Sequence, residues 1–181
     1  ADIAIGPGEV YLADVGESYP ADPATAVGGN WIQLGRFAED GLTFSADIQK
    51  TLVRSAQDKN PVASYLRASE IRVEARLLEA TIENIRYAFG SDGTISTDAG
   101  PPATSSWSPG SETKHHALLI RQDDGYQGTY PRDFQMPEVT VLGSTSLPMT
   151  PQGASSVGIA LVALEPAAGG SALTIVEQTG A

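Results

Sequence analysis

Between residues 42 and 78 the chain carries two runs in which apolar side chains recur at every second position. Leu42, Phe44, Ala46 and Ile48 make the first, and Leu52 rejoins its face. Ile71, Val73, Ala75 and Leu77 make the second, alternating strictly with Glu70, Arg72, Glu74 and Arg76. A period of two gathers side chains on one face of an extended strand. Read as a helix, the second run would scatter its apolar residues around the cylinder and set Glu70 over Glu74 and Arg72 over Arg76, both repulsive. Asp58-Lys59-Asn60-Pro61 supplies a turn between the runs. A long antiparallel hairpin is therefore the predicted centre of a mainly β fold.

Further strands are predicted at Glu9–Ala13, Trp31–Gly35, His115–Gln122, about Gln127–Phe134, Glu138–Gly143 and Ser156–Glu165, with a strand-like hook at Leu173–Val176. Both faces of the 156–165 run are apolar, which suits a central strand or one covered by another subunit. One helix is expected at about 81–89, because Ile82, Ile85 and Phe89 share a helical face, Thr81 can cap the start and Gly90 can end it. From Gly90 to Lys114 the chain is Gly, Ser, Thr and Pro around Trp107 without periodicity, so a long loop 90–114 is expected. The strand spacing fits an antiparallel β-sandwich or barrel. With 181 residues one domain is expected over 1–181, with an amino-terminal arm 1–8 and a carboxy-terminal arm 166–181.

Charge narrows the partners. The chain has 22 acidic and 11 basic residues, a formal charge of -11, which opposes a surface built to grip phosphate backbones. Residues 1–35 hold five acids and no base, 36–80 seven of each, and 81–181 ten acids and four bases. Cysteine is absent, so disulfides, thiolate metal sites and a cysteine nucleophile are excluded. The longest apolar stretches, such as Ile159–Leu164, fall far short of the ~20 residues that cross a bilayer, so no membrane insertion is expected.

Candidate chemistry fails on geometry. Glu70 and Glu74 on one strand would stand ~13 Å apart, beyond the ~5 to 9.5 Å of glycosidase carboxylates. They read as a solvated face paired across strands with Arg72 and Arg76. His115 and His116, with Glu112, Asp123 and Asp124 in reach along the chain, suggest a metal, but neighbours on a strand point to opposite faces. Asp92 to Asp98 places oxygens at alternate positions without the acidic density of an EF-hand. Gly6-Pro7-Gly8 and Gly28-Gly29 match neither the dinucleotide fingerprint nor the P-loop, and Gly153–Gly158 misses the nucleophile elbow. No catalytic, metal or cofactor-binding residue is predicted. Two other readings stand beside a structural one: a glycan- or host-surface-binding β-sandwich using Trp107, and a hydrolase using Asp123, Asp124 and His116.

Three stretches carry a resemblance: Gly8-Glu9-Val10-Tyr11-Leu12, then Trp31-Ile32-Gln33-Leu34-Gly35 with Asp40-Gly41-Leu42-Thr43-Phe44, and finally Glu70 to Gly90 with Leu77-Leu78-Glu79-Ala80-Thr81-Ile82-Glu83-Asn84. Over residues 8–90 the chain resembles the major tail tube proteins of long-tailed bacteriophages, relatives of contractile-tail and type VI secretion tube subunits. The resemblance implies a structural virion protein whose sheet joins those of its neighbours. Six subunits would close a ring, and rings would stack into a hollow tube that delivers DNA. It implies that the hairpin around Gln49 to Ser64 reaches an adjacent ring, with Lys50, Arg54, Asp58, Lys59 and Asn60 as contacts, and that both arms brace neighbours. Trp107 is the expected neighbour contact of loop 90–114, which would decorate the outside. Implied partners are further copies, a tail-tip initiator, a tape measure and a tail terminator; DNA would pass an acidic lumen without binding. The places implied are the virion tail and, during assembly, the host cytoplasm. The lumen acids are not assignable from sequence.

Overall fold

The computed structural model describes residues 2–5, 8–53, 60, 63–122, 131–142, 156–167 and 169–178. In chain order these form β1 (Asp2–Ile5), β2 (Gly8–Asp14), β3 (Ile32–Gln33), β4 (Phe37–Val53), β5 (Ala63–Leu77), α1 (Ile82–Phe89), β6 (Ile95–Asp98), β7 (Thr104–Trp107), β8 (His116–Gln122), β9 (Arg132–Val141), β10 (Val157–Ala163) and β11 (Thr174–Glu177). The predicted hairpin is the longest element pair: β4 and β5 run antiparallel from Phe37↔Leu77 to Val53↔Ala63.

Nine strands make one sheet in the order β1-β4-β5-β10-β9-β8-β2-β3, with β11 added beside β9. Every described pairing in it is antiparallel. The sheet curls on itself: Phe44 of β4 and Phe134 of β9 lie 5.9 Å apart between ring centroids, although β5 and β10 separate their strands. The inner face of this curl is the core, where Val10, Leu12, Phe44, Val73, Leu77, Leu118, Ile120, Met136, Val139, Ile159 and Leu161 pack together. The period-two residues of the sequence supply it.

The helix closes the curl as its signals predict. Thr81 Oγ1 accepts from the Asn84 amide at 3.2 Å, and Gly90 ends the helix at φ 60°, ψ 31°, donating to Tyr87 O. Tyr87 and Ala88 face the core. A Cβ at Gly90 would stand 2.8 Å from the Val141 side chain, so both backbone angle and space call for glycine there.

Three expectations are corrected. First, residues 138–143 are not a separate strand, because β9 runs unbroken through Pro137. On one edge of β9, β11 pairs residues 132–135 and β10 pairs 139–141, leaving Pro137 between partners. On the other, two residues of β8 from His116 to Leu118 span three of β9 from Val139 to Met136, a bulge that absorbs the missing N–H. Second, loop 90–114 contains a two-stranded sheet, β6–β7, rather than irregular chain throughout. Third, the expected strand at 31–35 shrinks to Ile32–Gln33. Most of the strand expected at 127–134 lies outside the described residues, and its described end belongs to β9. The described residues of both arms pair within the nine-stranded sheet, β1 with β4 and β11 with β9.

Candidate assembly surface

The hairpin outruns the sheet that supports it. β1 covers β4 over Leu42–Ser45, and β10 covers β5 over Arg72–Leu77. Beyond these, among the described residues Ala46–Val53 pairs only with the facing part of β5, so a two-stranded arm projects. Such a ribbon alone is marginal in water and needs a cover for its apolar face. That face is continuous with the core. Leu42 and Phe44 are buried, whereas Ile48 and Leu52, further out on the same side of β4, are 57% and 52% exposed. Covering both would contribute about 2 to 3 kcal/mol per copy, taking half of full burial for each.

Of the predicted hairpin contacts, Lys50 stands exposed between Ile48 and Leu52 and Asn60 is exposed at the turn, while Arg54, Asp58 and Lys59 lie outside the described residues. Sequence reasoning placed Ile48 and Leu52 on the core face without marking them as contacts, because periodicity shows a face and not where its cover ends.

The opposite side of the hairpin is polar. Arg72 pairs with Glu70 at 2.6 Å and lies 3.8 Å from Glu74, so the expected cross-strand pairing is instead made along one strand. All three are well solvated, and such pairs stabilise little. Arg76 donates to Ser156 Oγ at 3.0 Å rather than to a carboxylate.

Across the sheet, β2 and β8 are sealed by the chain's own 17–31 segment. Arg121 forks onto Asp133, directly opposite in the β8–β9 register, with both bonds 2.8 Å and Asp133 fully buried. Its Nη1 donates to Thr25 O at 2.7 Å, and Nη2, already on Asp133, also reaches Asp22 O at 3.4 Å, holding the segment down. The bond to Asp133 holds the guanidinium pKa above its usual value. Tyr19 and Trp31 pack at 5.0 Å, and burial raises the Tyr19 phenol well above its usual range.

The two histidines diverge. His115 is exposed and bonds Glu138 at 2.6 Å, while His116 is buried with its ring edge-on to Tyr87 at 5.2 Å. Asp123 and Asp124, the remaining members of the hydrolase reading, lie outside the described residues. Among the described residues no three His, Asp or Glu side chains gather as a metal would need, and no helix is long and apolar enough to cross a membrane. Asp98 serves a local turn, accepting from Gly100 N, and Asp92 accepts from Glu112 N twenty residues on.

Trp107 is turned inward. Its Nε1 donates to Gly93 O at 3.1 Å and its ring meets Phe89 of α1 at 5.5 Å, pinning β6–β7 to the helix. A tryptophan that binds a sugar stacks it on a free aromatic face and can add a hydrogen bond from its indole N–H. Here the donor is used internally.

A cleft of about 520 Å³ lies where the β3–β4 connection meets the start of α1, lined among others by Ile32, Arg36, Glu79 and Glu83.

The sequence model of a family described as phage tail tube protein matches residues 3–179. The chain belongs to that family. It is thus a structural component of a phage tail, and its place is the virion. The chain is also similar to one in a solved structure of the tail of an empty GTA particle with C6 symmetry, at 11% identity and a TM-score of 0.49, covering 92% of this chain and 93% of that one. No curated protein matches the chain.

Proposed function

We propose that this tail tube protein polymerises through its projecting β4–β5 arm into stacked rings of six, forming the hollow tube through which the genome leaves the particle. The observation that carries this is the uncovered apolar face of the arm, a continuation of the core that ends in open solvent at Ile48 and Leu52. The ring of six is what the resemblance to phage tail tube proteins implies. The -11 charge supports passage of DNA without adhesion, since carboxylates on a lumen wall repel phosphates that Lys or Arg would bind. A tail-tip initiator, a tape measure and a tail terminator are the partners such a tube requires, and assembly takes place in the host cytoplasm. The protein acts by assembly and catalyses no reaction.

Negative-stain electron microscopy of the concentrated protein tests the reading. Tubes of uniform width are expected from the natural chain. Replacing Ile48→Asp and Leu52→Asp together should abolish them, while circular dichroism stays native because both positions lie outside the core. Tubes of normal number and length from the double variant would sink the proposal.

A further inference from the structure

We propose that the cleft at the start of α1 receives the β4–β5 arm of a second copy, so that copies join head to tail. The inference rests on the self-assembly reading above and adds the surface that accepts the arm.

Charge is the first argument. Residues 48–69 hold four basic residues and one acid, the rest of the chain seven and twenty-one. Residues 48–69 thus carry a net charge of +3 in a molecule of net charge -11, and their natural counterpart is an acidic surface on another copy. The cleft offers that surface. Glu79 and Glu83 line it, both exposed and neither in an ion pair with any described residue; Arg36 is the cation opposite them. Lys50 likewise has no ion pair among the described residues.

Apolar surface is the second. Ile32 on the cleft wall is 47% exposed and Leu78, beside Glu79, 43%. The cleft therefore presents one aliphatic side chain with two carboxylates, a second aliphatic residue lies next to Glu79 in the chain, and the arm presents Ile48 and Leu52 with Lys50 between them.

Reach is the third. Arg36 precedes the first residue of β4 and Leu52 lies near its end, so donor and acceptor stand roughly 50 Å apart along one strand. A chain cannot fill its own cleft. Donor and acceptor at opposite ends of one subunit make a heterologous contact, which propagates into a closed ring or an open stack.

The absence of cysteine makes the test clean. The full chain carrying Leu52→Cys and Glu83→Cys should, under mild oxidation at polymerising concentration, give a ladder of covalent multimers, whereas each single variant should stop at dimers. Glu79→Lys with Glu83→Lys, and separately Lys50→Glu, should each lower the sedimentable polymer at least tenfold, and the three combined should recover it. Normal tubes from the Glu79→Lys, Glu83→Lys variant, with no ladder from the cysteine pair, would overturn the acceptor and leave self-assembly standing. A natural chain that forms neither tubes nor sedimentable polymer, with no ladder, would overturn the self-assembly reading and the acceptor together.

Discussion

At the scale of the residue, His116 shows what burial does to a titratable group. Desolvation chiefly, with the Lys114 and Arg86 cations nearby, pulls its pKa from 6.5 down to about 4, although Asp14 opposes the shift. The unfolded chain therefore takes up a proton that the folded one refuses. Stability is fully present above about pH 6.5 and falls as the pH drops towards 4, by on the order of 3 kcal/mol. Asp14, whose carboxyl is lowered mainly by its bond to Lys114, adds loss of the same sign at still lower pH. Urea unfolding at pH 7.5 and 4.5 should show this fall, and His116→Phe should flatten it; an unchanged slope in the variant would exonerate the histidine. That adjacent histidines face apart was legible from the two-residue period. That one of them meets Tyr87 was not, because the contact joins a strand to a helix 29 positions earlier. The Arg121–Asp133 pair was hidden for a related reason: strand register, not sequence spacing, sets it opposite.

At the scale of the element, the sequence spoke clearly wherever one face is buried and the other wet. β4, β5 and α1 carry that contrast, and their boundaries were readable to within a few residues except where β4 begins earlier, at Phe37. β6 and β7 lack it. Apart from Ile95 and Trp107 their side chains are exposed on both faces, so Ser and Thr alternate with nothing and no period appears. The gap expected between strands at 134 and 138 falls where Pro137 lies inside β9; the partner change and bulge explain how the strand runs through it. The β6–β7 ribbon leans on α1 through Trp107, which makes a distinct prediction. Trp107→Ala should cost about 1 to 2 kcal/mol, since the ring is only part-buried. The loss should be local: amide hydrogen exchange should quicken at residues 95–107 while β8 and β9 keep their protection. Equal loss of protection across the sheet would show that the ribbon is integral to the core instead.

At the scale of the molecule, the body and the arm are energetically separable. The curl closes through pairings far apart in sequence, such as Leu161 with Val73 and Val162 with Thr140, which no local pattern announces. Among the described residues, β4 contributes none beyond Phe44 to the buried core. Excision of the arm should therefore spare the fold. Ile48 and Ser69 face each other in register, so residues 49–68 can be replaced by Asn-Gly, a two-residue turn suited to antiparallel strands. The shortened chain retains β1 on β4 and β10 on β5, and its melting temperature should stay within about 5 °C of the natural one. It should form no tubes at any concentration, because the basic, apolar-faced segment is gone. A shortened chain that still polymerised would move the assembly contact to the exposed edges β1 and β3; one that failed to fold would show that the arm, though it leaves the sheet, helps to hold it.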